Sequence, residues 1–261
     1  MRRNFFCMSL LGLALCPTIA LCEESIDLVG LAGHQRMLTQ RIAKAYAQVG
    51  AKVLPELSAR ILRDSLDAFG FQQDKLRTSA SLPDQQKLVA IIDGQWAEVI
   101  ALTNLPVDKG RAAELHTKVN TLERLFSQLS YLLRGAHSPK AGKVVTVAGR
   151  QRMLSQRLIK AYMLRAWGVD IPNLPIEMAI AADEFSAGLV VLQQAPGNRS
   201  EAVRELASIT SQWEWLQSAL VSEESFSARA LIAEHSEALL SILENLTESY
   251  SRVAAPAAAL R

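Results

Sequence analysis

Apolar side chains recur along the chain at alternating steps of three and four residues, the spacing of an α-helix that buries one face. The first clear seam comprises Leu28, Leu31, Gln35, Leu38, Ile42, Ala45 and Val49. The second half has a matching seam at Val144, Val147, Gln151, Leu154, Leu158 and Ala161. Each seam holds one glutamine. Because a buried amide needs partners, we expect it to fix helix register or to hydrogen-bond across the bundle.

Turn-forming residues divide the chain into eight such segments. The breaks at 50–55, 79–84 and 103–110 correspond to breaks at 168–175, 195–200 and 222–225. Gly50 and Gly168 are typical helix stops, with prolines just beyond. Four helices per half, joined by short turns, predict an all-α fold of two tandem antiparallel four-helix bundles. We assign 23–134 to the first bundle and 144–252 to the second, with a linker at 135–139.

The two halves are copies of one unit. The segment AGHQRMLTQRIAKAY at 32–46 and the segment AGRQRMLSQRLIKAY at 148–162 agree at 11 of 15 positions. Gln95-Trp96 and Gln212-Trp213 repeat at nearly the same offset, and we expect both tryptophans to anchor cores. Core packing accepts many apolar exchanges, so packing alone does not explain why Arg, Gln, Met and Tyr are all retained in this segment.

A second row of residues lies roughly 150° around the first helix from its seam, given about 100° per residue. It comprises Val29, Gly33, Arg36, Gln40, Ala43 and Ala47, and in the second copy Val145, Gly149, Arg152, Gln156, Ile159 and Met163. We expect this row to face away from its own bundle, with an arginine and a glutamine one turn apart. A binding role for the two arginines and an ordinary solvated surface are both left open by the pattern.

Composition supports a helical protein, because 49% of residues are hydrophobic but only 6% are aromatic. Residues 1–22 differ from the rest. Arg2 and Arg3 precede an apolar run, which predicts a cleavable secretory signal peptide. All three cysteines lie in this leader, so cleavage after Cys22 would leave no cysteine. A lipid-anchored Cys22 is the alternative.

Charge and motif content exclude several classes of protein. The leader holds two of the 28 basic residues and none of the 26 acidic ones, so the remainder is neutral and we expect no nucleic-acid partner. No later stretch approaches the ~20 apolar residues of a membrane span. We find no nucleotide-binding or nucleophile motif and no metal-ligand spacing, so we expect no enzyme activity, cofactor or metal. We expect His116 and His235 to begin the last helices in capping or surface roles.

The pattern Ala-Gly-x-Gln-Arg-Met-Leu-Ser/Thr-Gln-Arg resembles the signature of the PilJ-type domain, the periplasmic module of the type IV pilus chemotaxis transducer. It is more loosely similar to the first-helix segment of NarX and NarQ nitrate sensors. The resemblance implies a periplasmic four-helix bundle. In the nitrate sensors, a homodimer holds one nitrate between two first helices, through the arginine of each Arg-Met pair. The corresponding residues here are Arg36 and Arg152.

From this resemblance we expect the two copies to pair within one chain and to bind a small anion, with nitrate or nitrite the leading ligand. The expected ligand-binding residues are Arg36, Arg152, Gly33, Gly149, Gln40 and Gln156. The glycines would allow the helices to approach closely. Pairing between chains of a homodimer remains an alternative. His34 and Arg150 differ at equivalent positions, and we expect neither the membrane helices nor the signalling domains of those receptors in this sequence. It could instead dock on a membrane chemoreceptor, sensor kinase or pilus component without a ligand.

Overall fold

A computed structural model describes residues 18–134, 141–196, 198–221 and 225–254, with side chains at 28–134, 143–196, 198–221 and 225–252. Most of the expected leader and the expected linker lie outside the described residues. The described residues form helices and connecting turns, with no strand, which confirms the all-α prediction. The helices are α1 (Thr18–Gly50), α2 (Pro55–Ser79), α3 (Pro83–Thr103), α4 (Lys109–Arg134), α5 (Ala141–Trp167), α6 (Leu174–Gln193), α7 (Ser200–Val221) and α8 (Phe226–Ala254).

Helices α1 and α5 end in the same hydrogen-bonded cap. Gly168 adopts φ +74°, its N–H donates to Arg165, and the N–H of Val169 donates to Leu164, as in a Schellman motif. In the first copy Lys52 takes this position with φ +59°, and its N–H donates to Val49. Helix α1 ends at Gly50 as expected, but its left-handed cap residue is Lys52 rather than a glycine. Prolines then begin α2 and α3, where a missing N–H is tolerated.

Helix packing follows the repeat. In the first half α1 contacts α2 and α4, and α3 contacts α4 and, more sparsely, α2. In the second half α5 contacts α6 and α8, and α7 contacts α8 and, more sparsely, α6. The two halves meet where α1 packs along α5, the most extensive helix–helix contact in the described part of the chain. Each first helix is therefore surrounded by its own neighbours and by the other first helix.

Aromatic side chains mark the centre of each half. Phe69 stacks on Trp96 with ring centroids 3.8 Å apart, and Phe185 packs on Trp213 at 4.3 Å. Trp213 is buried and Trp96 half-buried, so both act as core anchors, as the sequence predicts.

The two seam glutamines make equivalent bonds in the two halves. Gln35 Nε2 donates to the carbonyl of Phe69 at 2.9 Å, and Gln151 Nε2 donates to that of Phe185 at 2.8 Å. Each bond connects a first helix to the helix that follows it, which confirms the expected hydrogen bonding across each half. None of the helices in the described ranges combines the length and apolarity that crossing a membrane requires.

Candidate functional site

Helices α1 and α5 run in the same direction and in matching register. Their last residues meet, since a Cβ placed on Gly50 would overlap the indole of Trp167. Ten residues before Gly50, Gln40 of α1 and Lys160 of α5 both donate to Asn120 Oδ1 of α4, at 3.4 and 2.7 Å. These contacts keep the two repeated helices in register to within about one turn, with an offset of one residue at Gly50 and Trp167 and of four residues at Gln40 and Lys160.

The second row of the repeated helix is buried by its neighbours. Its members Gln40, Ala43, Ala47, Gln156, Ile159 and Met163 have no more than 2% of their surface exposed. The solvated reading of this row is therefore wrong. The row faces the groove where the other first helix and the last helices pack.

Arg36 is neutralised by a glutamate. Its Nε and Nη2 donate to Glu123 Oε1 at 2.8 and 2.6 Å, which joins α1 to α4. The side chains of both residues are nearly buried, with 12% and 11% exposed. Charge-assisted bonds of this kind are stronger than neutral ones, and low exposure protects them from solvent screening.

Arg152, the equivalent residue of α5, has different surroundings. It is 8% exposed, and its buried Nε makes no hydrogen bond. Within the described residues no carboxylate is close enough to form an ion pair with it. Burial lowers the pKa of Arg152, and the negative charge of Glu244 on α8 only partly opposes this effect. The second repeat therefore holds a buried cation that lacks the counter-ion present in the first.

The two glutamines of the candidate site are only partly satisfied. Gln40 and Gln156 each make one long bond of 3.4 Å through Nε2, to Asn120 and to Ser155 respectively. The Oε1 of each is buried without a partner. Because amide orientation is assigned from the hydrogen-bond network, either end of these side chains can turn towards a new partner.

Gly33 and Gly149 do not have the role expected of them in helix approach. A Cβ on Gly33 would meet no atom within 4 Å, and one on Gly149 would meet only Arg152 Nη2, at an ordinary 3.6 Å. The close approach instead occurs at Gly50, where α1 meets Trp167. The sequence gives no sign of this contact, because Gly50 there resembles a helix stop.

Two lysines at equivalent positions of the repeat, Lys44 and Lys160, are fully buried, which the hydrophobic pattern does not predict. Lys44 pairs with Glu237 of α8 and donates to Ser236 Oγ at 3.2 Å, and Arg41 pairs with the same glutamate. Burial lowers the pKa of Lys44. Burial opposes ionisation of Glu237, but the two cations outweigh it and bring its pKa to about 2.

Lys160 has a more elaborate environment. Besides its bond to Asn120, it lies 2.8 Å from Glu177 of α6, which also pairs with Arg157 at 3.1 Å. Burial lowers the pKa of Lys160 to about 8. The signal for both lysines was present in the sequence, because Lys is identical in the two segments.

His116 lies inside α4 and is buried, so the expected capping or surface role is wrong. Its Nε2 is 3.3 Å from Glu177 and 3.1 Å from Asn120 Nδ2. Burial lowers its pKa to about 4, and the charge of Lys160 acts in the same direction.

The other histidines have ordinary surroundings. His235 lies within α8, stacks on Trp215 at 3.7 Å and bonds to Gln212. His34 bonds to Gln72, and His137 lies outside the described residues. No group of three metal-ligating side chains occurs in the part of the chain that the structure describes.

No family model, no curated protein and no solved structure matches this chain. Arg36 and Gln40 of α1 both bond to α4, whereas the charge that acts on Arg152 of α5 is that of Glu244 on α8.

Proposed function

We propose that this protein is a non-catalytic periplasmic ligand-binding or sensory protein of the PilJ- and NarX-like type. In this proposal two tandem four-helix bundles join along α1 and α5, and a small inorganic anion, nitrate or nitrite first, binds between these helices. The observation that carries the proposal is the buried guanidinium of Arg152, which has no carboxylate partner among the described residues.

A bound anion would neutralise this buried charge and so offset the free-energy cost of burying it. A buried cation is costly unless it is paired and hydrogen-bonded. A guanidinium presents N–H groups in a planar fork, which matches the oxygens of a planar anion such as nitrate. Because α1 and α5 are in register to within about one turn, this proposal has Arg36 and Arg152 within about one turn of the same height. The Nε2 groups of Gln40 and Gln156, one turn away, each make one 3.4 Å bond and have a second N–H that could donate to the anion.

Thermal unfolding in increasing sodium nitrate or nitrite tests this proposal, with sodium chloride at equal ionic strength as the control. A ligand that binds only the folded state raises the melting temperature with its concentration relative to its Kd. We expect Arg152→Gln to abolish the rise and Arg36→Gln to reduce it. Arg63→Gln, which removes an exposed arginine of α2, should leave the rise unchanged. Full retention in both site variants would show that the site is misassigned, and no anion response in the wild type would refute the proposal.

A second function, docking on a membrane chemoreceptor, sensor kinase or pilus component, is favoured by the outward face of α6. Ile176, Ile180 and Val190 are 60%, 47% and 48% exposed. Because Gln35 bonds to Phe69 and Gln151 to Phe185, α2 and α6 correspond at an offset of 116. The equivalent exposed residues of α2 are Arg60, Asp64 and Asp74. This face of α2 carries the exposed apolar side chain of Phe71 among charged ones, whereas α6 has several, and a larger exposed apolar patch is typical of an interaction surface.

Co-purification with detergent-solubilised membranes distinguishes this second function. A docking protein would retain one defined membrane protein, lose it in Ile180→Arg and keep it in Asp64→Arg, the matched change on α2. It would also show no thermal response to nitrate or nitrite. Equal retention by both variants would rule out α6 as the docking face.

A further inference from the structure

We infer that the chain carries its own counter-ion for one half of the proposed anion site. Glu123 neutralises Arg36, so Arg152 is the arginine that takes an external anion, one per chain. The inference rests on the proposed anion-binding function and specifies how the site is divided. It follows from comparing the last helices of the two repeats, α4 and α8, which pack against α1 and α5 respectively.

Helices α4 and α8 correspond at an offset of 117 residues. Ser130 Oγ donates to the carbonyl of Phe126 at 2.8 Å, and Thr247 Oγ1 donates to that of Leu243 at 2.7 Å. The buried positions agree as well. Leu115, Val119, Leu122, Phe126 and Leu129 of α4 correspond to the buried residues Ile232, Ser236, Leu239, Leu243 and Leu246 of α8.

Contacts between the halves follow the same offset. Lys160 of α5 donates to Asn120 of α4, and Lys44 of α1 pairs with Glu237 of α8. Asn120 and Glu237 are 117 residues apart and face equivalent lysines. The pairing of first helices with last helices is therefore pseudo-symmetric at this height.

The same correspondence places Leu240 where the first repeat has Glu123. Leu240 is 2% exposed, so an apolar side chain packs at the position from which Glu123 reaches Arg36. Glu123 of α4 and Glu237 of α8 both form ion pairs with residues of α1, but they are one turn apart in equivalent numbering. One reaches Arg36 and the other reaches Lys44, and Arg152 receives neither.

This arrangement decides which arginine accepts an external anion. At Arg36 an anion must compete with a carboxylate that is held on the same chain at a high effective concentration. At Arg152 it meets no such competitor. The carboxylate whose charge acts on Arg152 is that of Glu244. Its side chain is 41% exposed and lies 3.7 Å from His34 Nε2. The formal charge of the two arginines and Glu123 is one positive unit, which a single monovalent anion neutralises.

Exchanging the residue at position 240 tests the inference. Leu240→Glu should pair with Arg152, remove the nitrate-induced rise in melting temperature and weaken nitrate binding at least about tenfold in calorimetric titration. Leu240→Gln is the matched control, because it is polar and similar in size but cannot neutralise Arg152. In anion-free buffer Leu240→Glu should melt several degrees above Leu240→Gln, and this difference should vanish when both carry Arg152→Gln.

The reciprocal change is Glu123→Leu, which gives the first repeat the residue of the second. It should lower the melting temperature in anion-free buffer and enlarge the rise produced by nitrate, because Arg36 then also lacks a carboxylate. Calorimetric titration of the wild type should give one anion per chain.

The outcomes separate the inference from the proposed function. If the wild type responds to nitrate and Leu240→Glu keeps the full response, the inference is overturned while anion binding stands. If Leu240→Glu melts no higher than Leu240→Gln without anion, Arg152 does not face position 240 and the inference is again overturned. If the wild type does not respond to nitrate or nitrite, the proposed function fails, and the melting temperatures in anion-free buffer still report whether position 240 faces Arg152.

Discussion

At the scale of single residues, burial decides what each charged side chain contributes. His116, Lys160 and Glu177 lie together between α4, α5 and α6, with separations near 3 Å. Burial lowers the pKa of the two bases, whereas for Glu177 the surrounding positive charges outweigh burial and lower the pKa of its carboxyl. Near neutral pH the cluster therefore contains a neutral histidine beside a paired carboxylate and ammonium group.

The neutral state of His116 makes stability depend on pH. Between its ordinary pKa of 6.5 and its folded value of about 4, the unfolded chain binds a proton that the folded chain does not. The free energy of unfolding should therefore fall as the pH falls through this window, by up to about 3 kcal/mol from this residue.

Urea unfolding of wild type and His116→Gln at pH 7, 5.5 and 4 measures this effect. The low pKa values of Glu177 and Glu237 also cost stability in acid, but they do so in both proteins. We expect the wild type to lose more stability than the variant over this range. Parallel losses would contradict the assignment to His116.

The contact between Gly50 and Trp167 gives a second residue-scale prediction. A methyl group at position 50 would overlap the indole, so Gly50→Ala should destabilise the protein by about 1–3 kcal/mol. Gly30→Ala is the control in the same helix, because a Cβ there meets nothing within 4 Å and helix propensity should raise stability by up to about 1 kcal/mol. Denaturant unfolding compares the two, and equal effects would argue against the close approach.

The sequence predicts some of these residues but not others. Gln35 and Gln151 could be predicted, because a polar residue on an apolar seam must find a partner. Lys44 and Lys160 could not be predicted from periodicity, since lysine is rarely buried and usually marks a solvated face. Their burial arises from the meeting of four helices, two from each repeat. Glu123 was missed for the same reason, because its partner lies 87 residues away.

At the scale of helices, the boundaries follow local chemistry and were predicted closely. The break expected at 79–84 matches the end of α2 at Ser79 and the start of α3 at Pro83, and the break at 222–225 falls between α7 and α8. Prolines, glycines and polar runs set these limits within a few residues. The ion pairs that connect α1 to α8 depend on tertiary packing, so no local sequence pattern predicts them.

The pairing of Arg41 and Lys44 with Glu237 joins α1 to the last helix of the other repeat. Glu237→Gln would leave a fully buried lysine without a counter-ion, so we expect a loss of about 3–5 kcal/mol in denaturant unfolding. Adding Lys44→Met should recover most of that loss, because an apolar side chain of similar length needs no partner. If the double variant were no more stable than Glu237→Gln, the buried ammonium would not be the source of the loss.

At the scale of the whole molecule, the contact between α1 and α5 should make the two repeats unfold together. Residues of both repeated segments lie fully buried there, so unfolding one repeat exposes apolar surface of the other. We expect a single transition in differential scanning calorimetry, with calorimetric and van't Hoff enthalpies that agree. Trp167→Ala should weaken the interface between α1 and α5 and therefore broaden the unfolding transition. Two separated transitions in the wild type would show that the halves are independent.

Because the repeat is duplicated within one chain, the two sides of the interface between α1 and α5 can carry different residues. Two identical subunits related by a twofold axis must place the same residue at both equivalent positions. A tandem repeat is free of that restriction, and here His34 corresponds to Arg150, Asn120 to Glu237 and Glu123 to Leu240 in the two repeats. The covalent link also keeps the halves together at any dilution. Duplication within one chain thus permits an asymmetric interface, which two identical subunits related by a twofold axis cannot form.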